Sequence, residues 1–263
     1  MSLLAEIVAQ RRARVAQDAA RIPVDVVRKQ ALTPQPSDSW MRIIDPARPV
    51  HAVIAEVKRR SPSRGPIAPL LDPARTALAY ESAGAAAVSV LTEPDWFGGS
   101  FTDLAQVTDA VNIPVLCKDF VVDPYQVWQA RAAAADLVLL MVSVLGDSTG
   151  EFVRLARGCG LEPLVEIHDE AELETAVASG ARLVGINNRD LRTLEVDMTV
   201  CRRLLPRLPE HVSAVAESGL SRPEELDDLR ALGADAFLIG GALVAAADPA
   251  AALRNLLRVT TPT

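Results

Sequence analysis

Residues 53–58 read Val53-Ile54-Ala55-Glu56-Val57-Lys58, an apolar run that ends in ionisable side chains. Such a run is short and unbroken, as expected of a strand covered on both faces. Glu56 and Lys58 stand two apart and so share one side of it. The same design recurs along the chain. Apolar runs begin near Val53, Ala87, Pro114, Leu137, Pro163, Leu183, Val212 and Ala236, spaced as one strand plus one helix requires. Eight such units on one parallel sheet predict a closed (β/α)8 barrel. An open doubly wound sheet is the alternative. It usually has fewer strands and a glycine-rich first turn, and neither is found.

Helix punctuation between the runs supports the barrel. Asp72-Pro73, Asp123-Pro124 and Asp248-Pro249 each place a capping acid before a proline at the first helical position. Ser221 with Pro223-Glu224 is a looser start. Gly84, Gly160, Gly180 and Gly233 each stand just before the next apolar run, where helices end. Residues 1–48 precede the first strand. Leu4, Ile7, Val8 and Val15 fall on one helical face with arginines opposite. The expectation is an N-terminal helical extension (1–48) packed over a mouth of the barrel (49–263), the two forming one domain.

Composition narrows the function. Apolar residues at 49% and charged residues at 23% describe a globular chain. The net charge of −7 argues against a nucleic-acid surface or an anionic membrane as partner, without excluding a local cationic pocket. Cys117, Cys159 and Cys201 are odd in number and far apart, so neither a disulfide framework nor a zinc site is indicated. No signal peptide or membrane span is read, and a reducing cytoplasm is the expected compartment. The expected assembly is a monomer.

Lysine usage is unusual. Of 27 basic residues only Lys29, Lys58 and Lys118 are lysine, and two of these close apolar runs. Arginine stays protonated at any working pH, whereas a partly buried lysine can have its pKa lowered and exchange a proton. Active sites of barrels lie at the C-terminal ends of the strands. Those ends carry Glu56 and Lys58, Ser89 to Glu93, Lys118-Asp119-Phe120, Met141 and Ser143, Glu166 and His168, Asn187 to Asp190, Glu217-Ser218-Gly219, and Gly240-Gly241. A barrel core has no stability reason to end so many strands in ionisable groups, since each would be costly to desolvate unpaired. Two lysines and three glutamates (Glu56, Glu166, Glu217) converging on one mouth can supply both an acid and a base. The glycines after strands 7 and 8 allow a phosphate to approach backbone N–H groups. Trp96, Phe97 and Phe120 on mouth loops can flank a flat ring or pack beneath the loops. His168 lacks companions at metal-ligand spacing and reads as an ordinary hydrogen-bonding histidine. Cys117 alternates with Lys118 and should face the helix layer as core.

These residues fall within longer motifs. Ala55-Glu-Val-Lys58-Arg-Arg-Ser61-Pro-Ser-Arg-Gly65 resembles the first-strand motif of the indole-3-glycerol phosphate synthase family. Ser89-Val-Leu-Thr-Glu93 with Phe97-Gly-Gly-Ser100, Lys118-Asp-Phe120, Leu164-Val-Glu166-Ile-His168, Gly185-Ile-Asn187-Asn-Arg189-Asp-Leu191 and Ala216-Glu-Ser-Gly219 follow in that family's order. The resemblance implies a cofactor-free step of tryptophan biosynthesis on a phosphorylated small molecule. The substrate implied is 1-(2-carboxyphenylamino)-1-deoxyribulose 5-phosphate, and the products are indole-3-glycerol phosphate, carbon dioxide and water.

Carried over by motif, the resemblance makes Lys118 the general acid of ring closure and Glu166 the general base. Lys58 pairs with the substrate carboxylate and serves dehydration. Glu56 and Glu217 position the lysines, with a base role open to Glu56, and Asn187 bonds reacting oxygens. Arg189, Ser218 and Ser61 complete the polar lining. Gly219, Gly240 and Gly241 hold the phosphate, and Phe97 and Phe120 flank the anthranilate ring. Where many members read Gly-Glu-Ser-Leu-Met after strand 8, this chain has Gly240-Gly-Ala-Leu-Val244, and Ala242 lacks a hydroxyl. Cys117 precedes the acid lysine where a bulkier or basic residue is often found.

Three other readings compete. A phosphosugar isomerase resembling phosphoribosylanthranilate isomerase uses a strand-end cysteine and aspartate, and no cysteine faces the mouth here. A Schiff-base aldolase needs a lysine of lowered pKa. A binding-only barrel would not need the full acid–base set.

Overall fold

The computed structural model describes residues 2–31, 38–45 and 51–259. Its centre is a closed barrel of eight parallel strands: β1 (Ala52–Val57), β2 (Ala87–Leu91), β3 (Val115–Lys118), β4 (Leu137–Met141), β5 (Glu162–Ile167), β6 (Leu183–Asn187), β7 (Ser213–Glu217) and β8 (Ala236–Ile239). Each strand pairs with its chain neighbours, and β8 closes on β1 with Ala55 opposite Ile239. Every strand begins within one residue of the position read from the sequence. The boundary expected between residues 48 and 49 lies outside the described residues.

Alternation sorts the strand residues into two shells. Val53, Ala55 and Val57 of β1 face out, with Val115 and Cys117 of β3, into a shell shared with the barrel helices. Cys117 is therefore core, as its parity implied, and burial pushes its thiol up to about 12. Ile54, Leu116, Leu139, Leu164, Val215 and Leu238 face in and fill the barrel. The expected caps also form: the Asp72, Asp123 and Asp248 side chains accept the Arg75, Tyr125 and Ala251 N–H groups at 3.0, 2.8 and 2.9 Å.

The extension reaches both ends of the barrel, not one mouth. Helix α1 (Leu3–Arg21) lies at the C-terminal end, where Leu4 and Ile7 join the interior cluster beside Phe120. Its buried Arg11 donates to both oxygens of Asp119, at 2.8 and 2.6 Å. Helix α2 (Val24–Ala31) follows, and Val27 packs with Val15 and Tyr125. Trp40 and Ile43 return to the opposite end, where Ser39 meets Asp136 just before β4 and Arg182 stacks over the Trp40 ring at 5.2 Å.

Candidate active site

The inward positions at the top of the barrel change from apolar to ionisable. The change follows from parity: inward Ala52 and Ile54 of β1 lead to Glu56, Leu116 of β3 to Lys118, Leu164 of β5 to Glu166, and Val215 of β7 to Glu217. The four side chains meet. Lys118 Nζ lies 2.7 Å from Glu217 Oε2 and 3.9 Å from both Glu56 Oε2 and Glu166 Oε2. Lys58, the next inward residue after Glu56, pairs with Glu56 Oε1. Glu56, Glu166 and Glu217 are all buried.

Two glycines make room for this packing. A Cβ on Gly185 of β6 would come 2.2 Å from Glu217 Oε1, and one on Gly240 would come 2.1 Å from Glu56 Oε1. Gly240, expected to serve phosphate, thus has a steric duty toward Glu56 as well. Gly241 carries no such constraint, since its nearest neighbour would be Arg64 Nη1 at 3.7 Å. Gly219 has φ +81°, and a Cβ there would strike Met198 Sδ at 2.5 Å.

The electrostatics overturn one expectation. Burial pulls the Lys118 ammonium toward deprotonation, but Glu217, Glu166 and Glu56 outweigh it and hold Lys118 above the ordinary lysine value. The lysine is kept as an acid, not poised as a free amine. Burial raises Glu56 too, yet Lys58 and Lys118 bring it below its ordinary value. Glu217 goes the other way. Burial and the charge of Glu166 exceed the pull of Lys118 and push it up to about 7.

Above the cluster a cavity of about 390 Å³ opens, lined by Lys58, Lys118, Glu166, Asn187 and Gly241 among others. The rings of Phe97 and Phe120 stand on one side, centroids 6.0 Å apart and tilted by 39°. Phe97 is set by Glu93, whose carboxylate accepts the N–H groups of Asp95, Trp96 and Phe97 at 2.9, 2.7 and 3.1 Å. Trp96 turns away from the cavity and donates through Nε1 to Gln10 Oε1 at 2.9 Å, so it fastens α1 instead of flanking a ring. Asn187 accepts the Arg189 N–H at 2.9 Å, and Arg189 reaches Leu194 O at 2.7 Å. Ser61 is buried 3.4 Å from Ser63 Oγ. Ser218, held at φ +65°, offers its carbonyl to Asn188 at 3.0 Å.

The structure thus brings together Glu56, Lys58, Ser61, Phe97, Lys118, Phe120, Glu166, Asn187, Arg189, Ser218, Gly219, Gly240 and Gly241 around one cavity. One residue escaped the strand-end reading. Arg64, inside the first-strand motif, donates to Gly241 O at 3.4 Å and stands over the glycine corner. His168, read as an ordinary hydrogen-bonding residue, stands 3.5 Å from Glu166 and makes one ring hydrogen bond, to Glu172. Its position two residues after Glu166 was the available signal for the first of these contacts.

Comparison with known proteins agrees with this arrangement. A family model described as indole-3-glycerol phosphate synthase matches residues 4–256. Indole-3-glycerol phosphate synthase 1 of Streptomyces coelicolor is 45% identical over 260 residues, covering 98% of this chain and 95% of that one. The indole-3-glycerol phosphate synthase of a Parafrankia species is 52% identical over 212 residues, covering 80% of this chain and 79% of that one. Among solved structures, a 3-hexulose-6-phosphate synthase superposes with a TM-score of 0.65 at 18% identity, over 80% of this chain and 100% of that one. A thiamine phosphate pyrophosphorylase from Pyrococcus furiosus gives 0.61 at 16% identity, over 83% of this chain and 96% of that one. The structural likenesses speak for the barrel alone. The family model and the full-length relatives go further: this chain belongs to the indole-3-glycerol phosphate synthase family.

Proposed function

We propose that the mouth of this barrel closes, decarboxylates and dehydrates 1-(2-carboxyphenylamino)-1-deoxyribulose 5-phosphate to indole-3-glycerol phosphate, with Lys118 as general acid and Glu166 as general base. The observation that carries the assignment is the Lys118 ammonium set among three buried carboxylates at the floor of the cavity. Ring closure makes an alkoxide at the former ketone carbon, and an ammonium at that point can protonate it as it forms. Decarboxylation then restores the aromatic ring. Dehydration expels the hydroxyl, which takes a proton from an acid while a base removes one from the ring system.

The supporting residues divide by the charge they meet. Lys58 and Arg189 offer cations to the substrate carboxylate, and Glu56 holds Lys58 in place. Gly219, Gly240 and Gly241 leave backbone exposed toward the phosphate, and Arg64 adds a cation that compensates for the hydroxyl missing at Ala242. Phe97 and Phe120 take the anthranilate ring. Asn187, Ser61 and Ser218 complete the polar wall.

A Schiff-base aldolase would need a lysine eased toward the free amine, whereas three carboxylates hold Lys118 protonated. The isomerase chemistry has no cysteine at the mouth to work with. Among the described residues no helix is long and apolar enough to cross a membrane, and the three buried free thiols fit a reducing cytoplasm. Incubating the purified protein with the carboxyphenylamino-deoxyribulose phosphate and following indole fluorescence tests the assignment. A rise is expected, and a bound but unconverted substrate would overturn it.

A further inference from the structure

His168 continues the inward parity of β5 past Glu166, so both side chains point to the same side. Its ring is anchored from behind. The helix Glu170–Ala178 places Glu172 so that one oxygen, Oε2, meets both the His168 backbone N–H at 2.7 Å and Nδ1 at 3.0 Å. Glu172 is itself fixed, because Asp169 caps the same helix through the Glu172 N–H at 2.9 Å. With Nδ1 committed, Nε2 points at Glu166 Oε1, 3.5 Å away. Both of these atoms are buried and neither makes a hydrogen bond, so the contact between them is an ion-pair approach. Glu166 is thereby divided: Oε1 faces His168, and Oε2 faces Lys118 at 3.9 Å.

We propose that His168, oriented by Glu172, is a positioning residue for Glu166 that fixes the direction of its carboxylate and sets a positive ring against it. The proposal rests on the reading of Glu166 as the base. The groups around His168 favour a cationic ring. Glu166 shares its strand, Glu172 comes from the following helix, Glu217 from β7 and Asp190 from the loop after β6. Cations stand further out: Lys118 beyond Glu166, and Arg192 paired with Asp190 at 2.7 Å. Burial disfavours the imidazolium, but the bond to Glu172 and the charges of Glu166, Glu172 and Glu217 prevail and lift His168 to about 9. An imidazolium is therefore present near neutrality. Without it the Glu166 carboxylate would face Glu217 with Lys118 as its remaining neighbouring cation.

The test compares the full-length wild type with His168→Gln, Glu172→Gln and Glu166→Gln, measuring kcat and KM across pH together with melting temperature. The acid limb of the kcat profile reports the base in the substrate complex. In His168→Gln that limb should rise by about one pH unit. At neutral pH kcat should fall by about tenfold to a hundredfold, while KM stays within about threefold. Glu172→Gln should move the limb the same way by less. A His168→Gln protein that melts like the wild type and keeps its acid limb in place overturns the proposal. If His168→Gln does not fold, an unmoved limb in Glu172→Gln does so instead. Full activity in Glu166→Gln would defeat the base assignment underneath, whereas an inactive Glu166→Gln beside an unchanged His168→Gln would defeat this proposal alone.

Discussion

Lys118 and Lys58 are both strand-end lysines, yet their surroundings give them different work. Both line the cavity, but Lys118 sits among three carboxylates, whereas Lys58 pairs with Glu56. Replacing Lys118 with alanine should lower kcat by about 10²–10⁴-fold and leave the fold intact, as activity and circular dichroism would show. Lys58→Arg keeps the charge but not the compact ammonium, so kcat should fall while substrate still binds; wild-type turnover in that variant would mean lysine is not required there. The unusual lysine usage pointed to these positions, and both lysines line the cavity. The direction of the pKa change was not legible, because it depends on glutamates from three other strand ends. A sequence shows that a lysine is buried more readily than it shows what charge waits beside it.

At the scale of elements, neighbouring strands must leave space for one another's functional groups. Gly185 of β6 exists beside Glu217 of β7, and Gly185→Ala should displace Glu217 from Lys118. Activity should drop sharply with a modest loss of stability, measured by turnover and thermal melting. The N-terminal helix makes a second dependence. Arg11 of α1 and Thr92 after β2 both donate to Asp119, and Asp119 Oδ1 accepts the Phe120 N–H at 2.8 Å. Removing Arg11 by Arg11→Ala leaves a buried carboxylate unpaired, a loss of about 3–5 kcal/mol, and should raise KM by loosening Phe120. The strands and caps were legible because their signals are local: parity, Asp-Pro starts and glycine ends. Arg11 and Asp119 are separated by 108 positions, and no local pattern announces such a pair. The same holds for Glu172 behind His168, since an acid in a first helical turn reads as ordinary capping.

Across the whole molecule, the mouth holds buried carboxylates that the rest of the barrel must support. Glu217 is ionised less readily in the folded chain, near pH 7, than its ordinary value of 4.5. A raised carboxyl leaves stability undiminished below that ordinary value, erodes it as pH climbs toward 7, and exacts the full loss above. Glu217→Gln should therefore melt a few degrees higher than the wild type at pH 8, with the gap closing below pH 4.5, even though turnover suffers. Glu56 works in the opposite sense. Its lowered pKa stabilises the fold above its ordinary 4.5, and that contribution is lost on acidification. The two glutamates thus act on stability in opposite senses with pH, and both stand against the same ammonium. The measurement that reaches the centre of this account is indole fluorescence on mixing the carboxyphenylamino-deoxyribulose phosphate with the wild type and, in parallel, with Lys118→Ala. The account predicts a rising signal from the wild type and one slower by about 10²-fold or more from the folded variant. No signal from the wild type, or equal rates from the two, would contradict it.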